Sequence, residues 1–190
     1  TFSGDNPPVP DSKKRSFGLD NGSNSSLYLQ GNQMNIDDMA RVLVEKDGVD
    51  FILFDACMMQ SVENVYELKD AARYIIASPA EIPGPGAYYA TMVRAMFKQE
   101  AYADAMVDAY YNQYGNSGNP YGIVISAVNT SALPAFSAYM KNLIARYEER
   151  LFALDYRLLL NYFHYGEWTY KNTDMFDVRG VMCHLLDEQE

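Results

Sequence analysis

A compact, mostly apolar run, Val49 to Phe54, is closed by the turn pair Asp47-Gly48 on one side and by Asp55 on the other. A run so short and so bounded predicts a strand buried on both faces, because a helix would need roughly ten residues. Segments of helical period surround it. Asn35 followed by Ile36, Asp37 and Asp38 reads as a helix start, and Met39, Val42 and Leu43 recur at helical spacing up to Lys46. A second helix is predicted from Ser61 to Ala72, with Val62, Val65, Tyr66 and Leu68 on its apolar side. Tyr74 to Ala77 reads as a second strand, Tyr89–Phe97 and Ala101–Tyr114 as helices, and Gly122 to Val128 as a third strand. Ser131 caps a helix that runs to Glu149, with Pro134 tolerated in its first turn. This order of elements implies right-handed crossovers and a mostly parallel sheet flanked by helices, the α/β class.

Three regions follow from this pattern. Residues 1–26 are dense in Pro, Gly, Asn, Asp and Ser, and carry the basic cluster Lys13-Lys14-Arg15; they read as an exposed loop. Residues 27–150 form the α/β core, beginning with an extended piece at Leu27–Gln30 and including a turn at Asn116–Pro120. Residues 151–190 form a helical extension, in which Tyr162, Phe163, Tyr165, Trp168 and Tyr170 make an aromatic patch suited to a core or a subunit contact.

Charge excludes some partners. With 15 Lys+Arg against 25 Asp+Glu in 190 residues, the net charge of −10 opposes binding to a phosphate backbone and suits a cationic partner. Tyr121 to Met140 is uncharged, but Asn129, Thr130, Ser131 and Pro134 near its middle are costly in lipid, so no transmembrane segment is expected. No secretory leader is visible, and Thr1 is not a translation start, so residues upstream are expected. Cys57 and Cys183 could pair or not; spacing leaves both open.

The chemistry concentrates in Phe54-Asp55-Ala56-Cys57-Met58-Met59. Ligands of a parallel α/β sheet bind beyond the carboxyl ends of its strands, and this strand ends in a carboxylate and a thiol. A carboxylate beside a thiol blunts it as a nucleophile unless a cation is expected there. The cation could belong to a substrate, with Asp55 receiving an Arg or Lys side chain. The competing reading is that Cys57 is an ordinary core thiol. No zinc spacing, phosphate-binding glycine loop or Asp-x-Asp-x-Asp-Gly calcium loop is present, and Asp104, Asp108, Glu148 and Glu149 read as solvated helix faces.

The run Phe54-Asp55-Ala56-Cys57-Met58-Met59-Gln60-Ser61-Val62-Glu63, with Tyr66-Glu67-Leu68, Tyr74-Ile75-Ile76-Ala77-Ser78 and the loop Ile82-Pro83-Gly84-Pro85-Gly86 before Tyr88 and Tyr89, closely resembles the clostripain family of cysteine peptidases. The likeness is dense over Asp50 to Tyr89, continues in Ile125-Ser126-Ala127-Val128-Asn129, and includes Phe17-Gly18-Leu19-Asp20; it is not traceable beyond Glu149. The resemblance implies a caspase-like α/β fold and cleavage after Arg or Lys. It implies Cys57 as the nucleophile, with its own N–H as an oxyanion donor, and Asp55 as the selector of the basic residue. Ser78 and Glu81 would line the same pocket. Family members often carry an acidic residue where this chain has Pro85.

The family's catalytic His lies in a His-Gly motif upstream of the region where this chain begins, and His164 and His184 fall where the likeness has stopped. The resemblance therefore implies an N-terminal light chain that supplies the His, produced by self-cleavage after a basic residue, for which Lys13, Lys14 and Arg15 offer a site. It also implies a secreted or extracytoplasmic bacterial protein, with calcium required by some members and no other cofactor. A contrasting expectation is an interaction module of the same fold that has lost hydrolysis and uses its Tyr-rich C-terminal surface.

Overall fold

The computed structural model describes residues 16–20, 32–115, 123–161, 164–165 and 175–186. The chain divides into two compact units, Thr1–Ser131 and Ala132–Glu190. The first opens with strand β1 (Ser16–Asp20), paired antiparallel to β2 (Asn32–Asn35), and then helix α1 (Ile36–Val44). The expectation of an unbroken loop over residues 1–26 fails at β1, because that strand is defined by pairing with a segment twelve or more residues away and not by its own composition. Residues 1–15, including Lys13, Lys14 and Arg15, lie outside the described residues, as do Leu27–Gln30 and Asn116–Pro120.

The central sheet has the order β3–β4–β5, formed by Val49–Leu53, Ala72–Ala77 and Ser126–Asn129. β3 and β4 are parallel, with Phe51 opposite Tyr74 and Leu53 opposite Ile76. β5 runs antiparallel to β4, with Tyr74 opposite Asn129 and Ile76 opposite Ala127. The sheet is thus mixed; the parallel crossover expected before the third strand does not occur. Thr130 locks this return strand, its hydroxyl donating to the carbonyls of Ala72 and Arg73 at 2.7 and 3.2 Å. β3 is less enclosed than its sequence suggests. Ile52 and Phe54 are buried, whereas Val49 at its start is exposed.

Helix α2 (Val62–Glu67) is capped by Ser61, whose Oγ accepts from the Asn64 N–H at 3.2 Å. It ends five residues earlier than its apolar pattern predicts. Leu68 and Ala71 belong instead to a tight buried turn, and Ala72 already pairs in β4. α3 (Tyr89–Met96) and α4 (Tyr102–Tyr114) pack together over one face of the sheet. Period-two alternation turns Phe51, Leu53, Tyr74 and Ile76 toward these helices, where they meet Met92, Met106 and Tyr110. The Tyr102 ring joins the layers, lying 5.6 Å from both the Phe51 and Tyr74 rings.

The second unit contains α5 (Leu133–Arg146), α6 (Glu148–Phe152), a 3-10 segment at Tyr156–Asn161, the short antiparallel pair β6 (His164–Tyr165) and β7 (Met175–Phe176), and α7 (Val178–Leu186). The single helix expected from Ser131 to Glu149 is divided at Tyr147. Tyr162, Phe163, Trp168 and Tyr170 lie outside the described residues. No helix among the described residues is long and apolar enough to cross a membrane.

Candidate active site

The carboxyl end of β3 meets the segment that follows β4, and main-chain hydrogen bonds weld the two together. The Phe54 N–H donates to Ile76 O at 2.9 Å, those of Met59 and Gln60 to Ser78 O at 2.9 and 3.1 Å, and that of Met58 to Ala80 O at 3.1 Å. Between these anchors the chain turns sharply. Met58 has φ +58°, a left-handed conformation that costs a non-glycine residue on the order of 1 kcal/mol. The turn brings Cys57, which is half-buried, against the loop after β4, and the Ile82 N–H donates to its Sγ at 3.3 Å. Cys57 and Cys183 do not form a disulfide.

Asp55 leaves the same strand end and faces the next stretch of that loop, residues 86–89. Its carboxylate accepts the Ala87 N–H almost symmetrically, at 3.1 Å to Oδ1 and 3.0 Å to Oδ2. The Tyr89 hydroxyl donates to Oδ2 at 2.8 Å, and the Tyr110 hydroxyl reaches Oδ1 at 3.5 Å. Gly86 makes this enclosure possible: its φ is +69°, and a Cβ there would overlap the carboxylate of Asp55. Its carbonyl accepts from Gln113 Nε2 at 3.2 Å and from the Tyr114 hydroxyl, while Gln113 Oε1 accepts the Tyr88 N–H at 2.6 Å. Burial, reinforced by the negative charge of Asp55, holds the Tyr110 and Tyr114 phenols above the ordinary tyrosine pKa. Tyr89 is also raised, chiefly because it donates to Asp55.

The residues singled out in the sequence occupy different layers. Cys57 and Asp55 sit together at one sheet end, each held by a different part of one loop. Ser78 is fully buried, its Oγ donating to Ala80 O and accepting from Ala80 N–H at 3.0 Å each, so it shapes the loop from beneath instead of lining a surface. Glu81 is half-buried and immediately precedes the Ile82 N–H that reaches the sulfur. His184 lies on α7, in the second unit. Tyr110, Gln113 and Tyr114 were not singled out, although their i, i+3, i+4 spacing puts three polar-tipped side chains on one face of α4. Among the described residues no three His, Cys, Asp or Glu side chains cluster as metal ligands.

Comparison with known proteins identifies the family and the fold. The profile of the clostripain family matches residues 9–180, well past Glu149. No curated protein matches the chain. Among solved structures, it is similar to a secreted C11 cysteine protease from Bacteroides thetaiotaomicron in complex with an irreversible peptide inhibitor, at 40% identity over 62% of this chain and 37% of that one, with a TM-score of 0.56. It also resembles an inactive zymogen C11 protease from Parabacteroides distasonis, at 31% identity over 86% of this chain and 45% of that one, TM-score 0.67. A clostripain from B. thetaiotaomicron ATCC 29148, in complex with the peptide inhibitor BTN-VLTK-AOMK, shares 26% identity over 83% of this chain and 65% of its own, TM-score 0.65. The chain thus spans between 37% and 65% of the length of these solved relatives. With a caspase-like α/β fold, a thiol just beyond the end of the parallel strand β3 and a family profile running through both units, the chain belongs to the clostripain family of cysteine peptidases.

Proposed function

We propose that this protein is a cysteine endopeptidase cleaving after Arg or Lys, with Cys57 as nucleophile and Asp55 as receptor of the basic side chain. The observation that carries the reading is the convergence of both groups on one loop at the end of β3, with the Ile82 N–H on the sulfur. The Cys57 thiolate attacks the scissile carbonyl, forming a C–S bond and moving the carbonyl electron pair onto oxygen. Collapse of that oxyanion breaks the C–N bond. The leaving amine needs a proton, which a His from a segment outside these residues supplies, and water then hydrolyses the thioester. Glu81 adds negative charge beside the recess, and Ser78 acts by holding the loop. The lysine adjoining the AOMK group of the inhibitor bound to the B. thetaiotaomicron clostripain supports a basic preference.

The same specificity makes Lys13, Lys14 and Arg15 a self-cleavage site, and the protein works as an associated pair of chains, the smaller carrying the His. An extracytoplasmic bacterial location fits the relative described as secreted. The test is hydrolysis of Arg and Lys reporter peptides by the full-length protein, with intact masses recorded over time. Cys57→Ala should abolish turnover and self-cleavage, and Asp55→Asn should reduce kcat/KM about a hundredfold or more, as loss of a desolvated charge partner does. No turnover and no covalent labelling of Cys57 would favour the interaction module instead.

A further inference from the structure

The carboxylate of Asp55 is already occupied by three donors, and they differ in how readily they can leave. A carboxylate offers about four acceptor positions. The Ala87 N–H lies astride both oxygens, in the position that a guanidinium fork approaching end-on would need, and it belongs to a buried main chain. Tyr110 is 1% exposed and long in its contact, so it has no path out of the core. Tyr89 is different. It makes the shortest of the contacts, at 2.8 Å to Oδ2, yet it is the first residue of α3 and 52% exposed. Its side chain can rotate away without disturbing a packed layer.

We propose that Tyr89 gates the basic-residue recess: its hydroxyl occupies the Oδ2 position of Asp55 that an incoming lysine or arginine cation must take over. This rests on the reading of Asp55 as the substrate's charge partner. The exchange is favourable because the phenol offers the carboxylate only a dipole, whereas a cation in its place adds the attraction of a full opposite charge. It is also selective, since an uncharged side chain gains too little at Oδ2 to displace the phenol. The end-on position remains with the Ala87 N–H, so the cation binds side-on through one oxygen. Arginine therefore gains no advantage from its fork, and lysine and arginine exchange with the hydroxyl alike. A phenol is protonated at neutral pH, and donation to Asp55 raises its pKa further, so the hydroxyl stays a donor there.

The experiment compares full-length wild type with Tyr89→Phe and Tyr89→Leu on reporters ending in Arg, Lys and norleucine. Both variants should lower KM for Arg and Lys about three- to tenfold, by the same factor within about twofold, as expected for removal of one competing hydrogen bond. The gain should appear in KM, not in kcat, and be absent for norleucine. A KM that is unchanged or raised, or one that falls equally for norleucine, overturns the gate, because a structural role would move all three reporters together. Asp55→Asn separates the two failures. If wild type does not prefer basic reporters, or if Asp55→Asn leaves that preference intact, the recess itself is misassigned and the gate falls with it; if the preference depends on Asp55 but not on Tyr89, only the gate is lost.

Discussion

The segment after β4 holds its two neighbours by different means. Its first half, residues 78–82, is stitched to the Cys57 turn by main-chain groups: Ser78 O and Ala80 O accept main-chain N–H donors, and the Ile82 N–H donates to the Cys57 sulfur. Its second half, residues 83–89, closes over Asp55 mainly through side chains on α3 and α4, namely Tyr89, Tyr110, Gln113 and Tyr114. Main-chain bonds within a strand end cannot be exchanged without unfolding it, whereas a phenol can rotate and be replaced by a ligand. The surroundings of Cys57 are therefore fixed, whereas those of Asp55 are adjustable at one donor, the exposed Tyr89.

Substitutions can break that contrast, and Gly86→Ala should do so most severely. It forces a side chain into a left-handed position and against the Asp55 carboxylate, which should cost on the order of 2 kcal/mol or more. Differential scanning calorimetry and KM for basic reporters should worsen together, while irreversible alkylation of Cys57 by a small neutral reagent should stay near the wild-type rate. Ser78→Ala tests the other half. Removing a fully buried hydroxyl bonded twice to Ala80 should cost about 1–3 kcal/mol in denaturant unfolding. Here the alkylation rate should change, because Ala80 O anchors the Met58 N–H.

Gln113→Ala is the milder probe of the adjustable half. It deletes the bridge between Gly86 O and Tyr88 N–H, worth about 1 kcal/mol, and should raise proteolytic nicking within residues 83–89 without touching alkylation. The smallest effect is expected from pH. Tyr89 and Tyr110 have raised pKa values in the folded protein, so their stabilising contribution is fully present below the unfolded tyrosine value of about 10 and is lost as pH rises through their higher folded values. Ultraviolet titration of phenolate absorbance should show late-ionising tyrosines, one fewer in Tyr89→Phe. Ionisation of all tyrosines together near pH 10 would contradict the arrangement.

Sequence reasoning reached the fixed half more fully than the adjustable one, for a physical reason. The apolar run ending at Asp55 and Cys57 reports a strand and its functional end through local pattern alone, and the turn residues after Ala77 report a loop. Contacts between Asp55 and Ala87 or Tyr110 depend on how α3 and α4 lie over the sheet, and no local period encodes that packing. Tyr110 reads along the chain simply as a buried helix position. β1 escaped notice for the same reason, since its partner lies across a separate segment. The antiparallel return of β5 is not encoded in the element order, because the crossover rule governs only parallel pairs such as β3–β4. Leu68 continues a helical stripe in sequence yet serves the turn that starts β4.

The left-handed Met58 bears on how the sulfur before it is aimed. A thiol on a loose loop would have to find its heading again in every round of the proposed reaction. Here the turn and the bonds that hold it set that heading when the chain folds, so under the proposed function the entropy of orienting Cys57 is lost at folding and not in each cycle.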